Sequence, residues 1–188
     1  MPSSQLLLLY YLYRDESEMQ TGETAGVFGI SAMQITRAIR QLTALGLVKA
    51  RKEGVRTIIS SETRRLELFN KAKQYLLNPV RKRIYVEYAD LPGGIPLSGY
   101  SALSELTMLG GSETETFAFY GKSGDINGTD TLIDNTSQAE VEIWHYNPML
   151  MSKRQDIVDP LSLVVAMSSN DDPRVEQSID ELLSKVWR

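Results

Sequence analysis

The chain has 188 residues, 42% of them hydrophobic, no cysteine and a formal net charge of −4. That length suits one large domain or two small ones, and the lack of cysteine excludes a disulfide framework, a thiolate nucleophile and a cysteine-based zinc site. The longest apolar run, LLLLYYLY at positions 6–13, falls far short of the about 20 residues a membrane span needs, so the expectation is a cytoplasmic protein with no membrane partner.

The charge is unevenly spread. Residues 1–90 hold 14 Lys+Arg against 9 Asp+Glu, whereas residues 91–188 hold 6 against 15. Halves of opposite sign predict different partners, a polyanion for the first, although any solvated face also carries charge.

In chain order, Ser4 to Arg14 predicts a helix buried on all sides, because its apolar residues form no single stripe. A polar break over 15–20 follows. Thr21 to Phe28 predicts a short helix capped by the Thr21 hydroxyl and ended by Gly29. Ser31 and Gln34 then have the spacing of a capping box, which sets a helix start. From there Ile35, Ala38, Ile39, Leu42 and Leu45 recur at helical intervals as a buried stripe, and Gln34, Thr36, Arg37, Arg40 and Gln41 fall outside it. Those are base-reading and phosphate-binding side chains: Arg matches guanine bidentately and Gln adenine. Gly46 closes the helix, and two strands, Leu47–Arg51 and Val55–Ser60, flank a turn at Lys52-Glu53-Gly54. Lys49, Arg51, Lys52 and Arg56 against one Glu53 suit a phosphate backbone.

Helix, tight turn, helix with a polar outer face and basic hairpin is the layout of a winged helix-turn-helix. Over residues 4–60 the run GISAMQITRAIRQLTALGLVKARKEGVRTI resembles the recognition helix and wing of MarR-like regulators. The resemblance implies double-stranded DNA as partner, with Gln34, Thr36, Arg37, Arg40 and Gln41 in the major groove and Lys49, Arg51, Lys52 and Arg56 on the backbone. Winged helices also serve as protein-contact modules. The resemblance also implies a homodimer, which stays open here, because the helix expected over Glu62–Leu77 is short and stops at Asn78-Pro79.

Val80 to Tyr88 alternates as a strand with a basic start, and Asp90 to Gly94 reads as a linker, giving domains at 1–90 and 91–188. The second half predicts a helix from near Ser98, strands over Thr114–Tyr120 and Ala139–Tyr146, a helix over Asp159–Met167, and a terminal helix capped by Asp171 or Asp172. Its buried face is Val175, Ile179, Leu182, Leu183 and Val186. The overall expectation is α+β.

No catalytic pattern emerges. His145, in EIWHYNP, reads as a structural residue with no base partner. Gly110-Gly111-Ser112 lacks the lysine of a phosphate loop, and Ser98-Gly99-Tyr100-Ser101 lacks the strand and elbow of a hydrolase. Asp125, Asp130 and Asp134 lack calcium-loop spacing. Neither an enzyme nor a cofactor is expected, and no pocket with convergent polar groups is legible.

The segments PLSGYSALSELTML, EVEIWHYNP, VDPLSLVVAM and DDPRVEQSIDELL resemble the C-terminal region of AbiEi-type antitoxin regulators. That likeness implies autoregulation together with neutralisation of a nucleotidyltransferase toxin. Two functions are therefore expected: a transcriptional repressor whose residues 91–188 meet an effector or form an oligomer, or an antitoxin whose residues 91–188 meet a toxin.

Overall fold

The structure, a computed structural model, describes residues 1–14, 16–63, 65–122 and 124–187. It is an α+β fold with seven helices and two three-stranded sheets among the described residues. The chain divides into two compact units, Met1–Leu77 and Asn78–Arg188.

In the first unit, α1 (Pro2–Tyr13) buries Leu6, Leu7, Leu8, Leu9, Tyr11 and Leu12, as an all-round apolar helix should. It packs on α3 (Ala32–Ala44), and the Ser4 hydroxyl donates to Gln41 Oε1 at 2.6 Å. The Gln5 amide exchanges two hydrogen bonds with the backbone of Leu77, at 3.0 and 2.8 Å, tying the start of the unit to its end. The Tyr11 hydroxyl donates to the Ser17 carbonyl at 2.8 Å and accepts from the Ser61 N–H at 3.0 Å. Burial raises its pKa, against the opposing pull of the Ser61 bond.

The polar break contains a strand that the sequence does not announce, β1 (Glu18–Gln20). Met19, 1% exposed, lies opposite Ile59, which is fully buried. Three residues are too few to show alternation. In α2 (Thr24–Phe28) the expected cap is replaced: Glu23 is the cap residue, without a side-chain bond, and the Thr21 hydroxyl donates to the Thr57 carbonyl at 3.1 Å. The strands β2 (Lys49–Glu53) and β3 (Arg56–Ser60) form an antiparallel hairpin, and the sheet order is β1-β3-β2. The turn lies at Gly54-Val55, not at Lys52-Glu53-Gly54. Gly54 has φ 59° and is the one central residue with positive φ, as a type II′ hairpin turn requires. The helix expected over 62–77 shortens to α4 (Arg65–Ala72) and a 3-10 turn at Lys73–Tyr75. Leu68, Phe69 and Ala72 supply its buried contacts, and Leu66 and Leu77 stay exposed.

The domain boundary expected at residue 90 moves to Leu77/Asn78. The cause is β4 (Val80–Glu87), whose hydrogen-bond partner is β6 (Gln138–Trp144) in the second unit. There β5 (Thr116–Phe119) runs parallel to β6, giving the order β4-β6-β5. One face of this sheet holds Ile84, Val86, Val141 and Ile143, with Leu91, Phe119 and Ile126 packed on them. By strand alternation the other face holds Arg83, Thr116, Glu140, Glu142 and Trp144. The unit is completed by α5 (Gly99–Leu106), α6 (Pro160–Met167) and α7 (Pro173–Val186), which pack on one another. Asp159 and Asp172 cap α6 and α7 by accepting from the N–H groups of Ser162 and Arg174 at 2.7 and 2.9 Å. On α7, Val175, Ile179, Leu182 and Leu183 are buried as their spacing predicts, whereas Val186, expected with them, is only half-buried in the last turn.

Burial pushes the Glu140 carboxyl up, Arg83 opposes this, and the neighbouring Glu142 adds to it. An acid with a raised folded-state pKa binds its proton more tightly folded than unfolded, so the ionised form weakens the fold above that pKa. Glu140→Gln is therefore expected to raise the thermal midpoint at neutral pH. The gain should shrink as pH falls through the raised pKa, which melting curves from neutral to acid pH would check.

Candidate nucleic-acid interface

The start of α3 is set as its sequence predicts. The Ser31 hydroxyl accepts from the Gln34 N–H at 3.3 Å, and Gln34 Oε1 accepts from the Ser31 N–H at 2.9 Å. Ile35, Ala38, Ile39 and Leu42 face inward, and Leu45 is half-buried at the C-terminal cap. Gly46, with φ 66°, takes the left-handed conformation that turns the chain into β2. Met33, Arg37, Arg40 and Ala44 are all exposed and succeed one another at intervals of four, three and four residues. At about 100° per residue this stripe is centred roughly 180° from the buried one. Gln34 and Gln41 flank it on one side, and Thr36 and Thr43 on the other.

The candidate residues differ in how free they are. Arg37 and Arg40 form no ion pair among the described residues and rise together from the middle of the stripe. Gln34 has its carbonyl oxygen occupied by the capping box, which leaves its amide donors. With that oxygen engaged, it lacks the acceptor needed for a bidentate contact to adenine. The Thr36 hydroxyl donates back to the Ala32 carbonyl at 3.0 Å. Gln41 is half-buried and holds α1 through Ser4, so its oxygen is a packing contact. Met33, 64% exposed at the N-terminal end of the stripe, was missed in the sequence, where a methionine reads as core. Its position four residues before Arg37 is the signal that identifies it, and its side chain suits a thymine methyl.

All five residues of β2 are exposed, and Val55 at the tip is fully exposed, so the hairpin projects from the core. Its charges are largely matched at the base. Arg51 bonds Glu18 and Glu53, both at 2.6 Å, and Lys49 bonds Glu62. That bond from the Lys49 ammonium holds the Glu62 carboxyl below the usual carboxylate range. Lys52 and Arg56, nearer the tip, have no ion pair among the described residues, because Arg51 has taken Glu53. Lys52 lies on the Ala50 and Ile59 side of the hairpin and Arg56 on the other. The cations available to a polyanion are thus Arg37, Arg40, Lys52 and Arg56, whereas Lys49 and Arg51 are committed within the protein.

No protein-family model, no curated protein and no solved structure matches the chain.

The other sequence candidates belong to the second unit. His145 is exposed, and its backbone N–H donates to the Pro79 carbonyl at 2.9 Å. Asp125 and Asp134 accept from the N–H groups of Lys122 and Thr136, at 2.7 and 2.8 Å, and Asp130 pairs with Lys82 at 2.7 Å. Among the described residues no three His, Cys, Asp or Glu side chains converge as metal ligands, and no helix is long and apolar enough to cross a membrane.

Proposed function

We propose that residues 1–77 are a winged helix-turn-helix that binds double-stranded DNA, and that the protein is a transcriptional regulator, acting as a repressor. In this assignment α3 is the recognition helix and the β2–β3 hairpin is the wing. The observation that carries it is the outward stripe of α3, where Arg37 and Arg40 stand opposite the buried face with no ion pair among the described residues. Two exposed arginines without partners repel one another, and a polyanion removes that cost. Their positions differ by about 4.5 Å along the helix axis, against a base-pair rise of about 3.4 Å, so the two guanidinium groups suit neighbouring base pairs in the major groove. The hairpin supplies Lys52 and Arg56 for phosphates.

With Lys52 and Arg56 on phosphates, log affinity is expected to fall against log salt with a slope of about −2. Lys52→Ala should weaken all duplexes alike and make the slope shallower by about one. Lys49→Ala, whose charge Glu62 already meets, should change it less. Anisotropy titrations of labelled duplex at several salt concentrations measure both, and equal effects of the two substitutions would contradict the assignment of free and committed cations.

The acidic surplus of the second unit favours one further reading. Residues 78–188 hold 9 Lys+Arg against 17 Asp+Glu, which suits a basic protein surface. An antitoxin of this kind should bind a nucleotidyltransferase encoded beside its gene, and lack of binding between the two purified proteins would remove that reading while leaving the DNA assignment intact.

A further inference from the structure

Three charged side chains meet on the face of the second sheet that also carries the buried Trp144. Glu142 is 1% exposed. Its Oε1 accepts from Arg83 Nη2 at 2.9 Å and Nε at 3.2 Å, and its Oε2 accepts from the Ser98 hydroxyl at 2.5 Å and Trp144 Nε1 at 3.4 Å. Glu142 is thereby saturated. Glu140, two residues along the same face, has Arg83 Nε at 3.0 Å and lies in a region where burial disfavours its charge. Both carboxylates and Arg83 line a cleft of about 370 Å³, along with Tyr100, Thr116 and Asn170. Tyr100 and Ser112 also line a second cleft of about 470 Å³, so the two adjoin.

Burying a carboxylate costs desolvation that its partners must repay, and Glu142 is buried although Arg83 is 47% exposed. A fully bonded carboxylate at the cleft wall, beside a second one with a single cation between them, is therefore a costly arrangement. One arginine against two carboxylates leaves a net charge of −1 in a space of small-molecule size. The lining is polar, with an aromatic ring suited to a cation.

We propose that this cleft is a binding site for a small organic cation, an amine or guanidinium that hydrogen-bonds to Glu140. Arg83, itself anchored on Glu142, holds Glu140 in place, and the ligand supplies the positive charge that the trio lacks. Binding here is independent of the DNA assignment.

The test is isothermal titration calorimetry of the full chain in low salt with agmatine, with n-butylamine, and with 1-butanol as neutral comparator. Agmatine is expected to bind one site with a dissociation constant of about 1 mM or tighter. Glu140→Gln should weaken it at least tenfold while the protein stays folded by circular dichroism. Glu176→Gln, an exposed carboxylate on α7 outside both clefts, should leave it unchanged. Amine binding no stronger than that of 1-butanol, or equal loss in the Glu140 and Glu176 variants, would overturn the proposal.

Discussion

Replacing Arg40 by alanine is expected to lower affinity for a preferred duplex by about 1–3 kcal/mol, a factor of roughly 5–150, with relaxed preference at one base position. Arg37→Ala should act the same way at a neighbouring position. The two share one turn of α3, so their losses need not add. The size of the effect follows from geometry: both side chains are centred on the outward stripe, neither is held by an ion pair among the described residues, and a guanidinium bonds guanine through two parallel N–H groups. Lysine at either position should restore phosphate attraction but not base preference. A competition assay against duplexes varied one base at a time separates these outcomes. Uniform loss across all variants would demote the arginine to a phosphate contact.

Arg83→Met is expected to destabilise the second unit by about 3–5 kcal/mol, because it strands a buried charge. Glu142 is 1% exposed and takes two hydrogen bonds from the Arg83 guanidinium. Removing that cation leaves the carboxylate with a serine hydroxyl, a distant indole N–H and a like charge at Glu140. Urea unfolding should show a midpoint lowered by more than about 1 M. Adding Glu142→Gln should recover more than half of the loss, since the neutral amide keeps acceptor capacity without the charge. A double variant no more stable than Arg83→Met alone would show that the loss comes from Arg83 packing.

What the sequence discloses depends on the range over which each feature is determined. The Ser31–Gln34 box, Gly46 and the buried stripe of α3 are local and were legible from spacing alone. So were the α+β class, β6 and the terminal helix, although the sequence admits Asp171 or Asp172 as its cap and the structure places it at Asp172. The pairing of Lys49 with Glu62 and of Arg51 with Glu18 was not legible, because it depends on how β1, β3 and the start of α4 come together. That distinction separates free cations from committed ones, and hence sharpens the candidate site. The move of β4 into the second unit has the same origin: Arg83 and Glu142 are 59 positions apart. Glu140 and Glu142 alternate with apolar residues, the pattern of a strand with one solvated face. Their burial arises from packing around that face, which residue spacing does not show.

Whether α3 reads DNA decides the function of the first unit. The most direct measurement is selection from a pool of randomised duplexes by the wild type and by the Arg37→Ala/Arg40→Ala variant, followed by titration of the enriched duplex across salt concentrations. The expected result is a defined motif for the wild type, a log–log salt slope of about −2, and loss of the motif in the variant. No enrichment by the wild type, or the same motif at the same affinity in the variant, would contradict it.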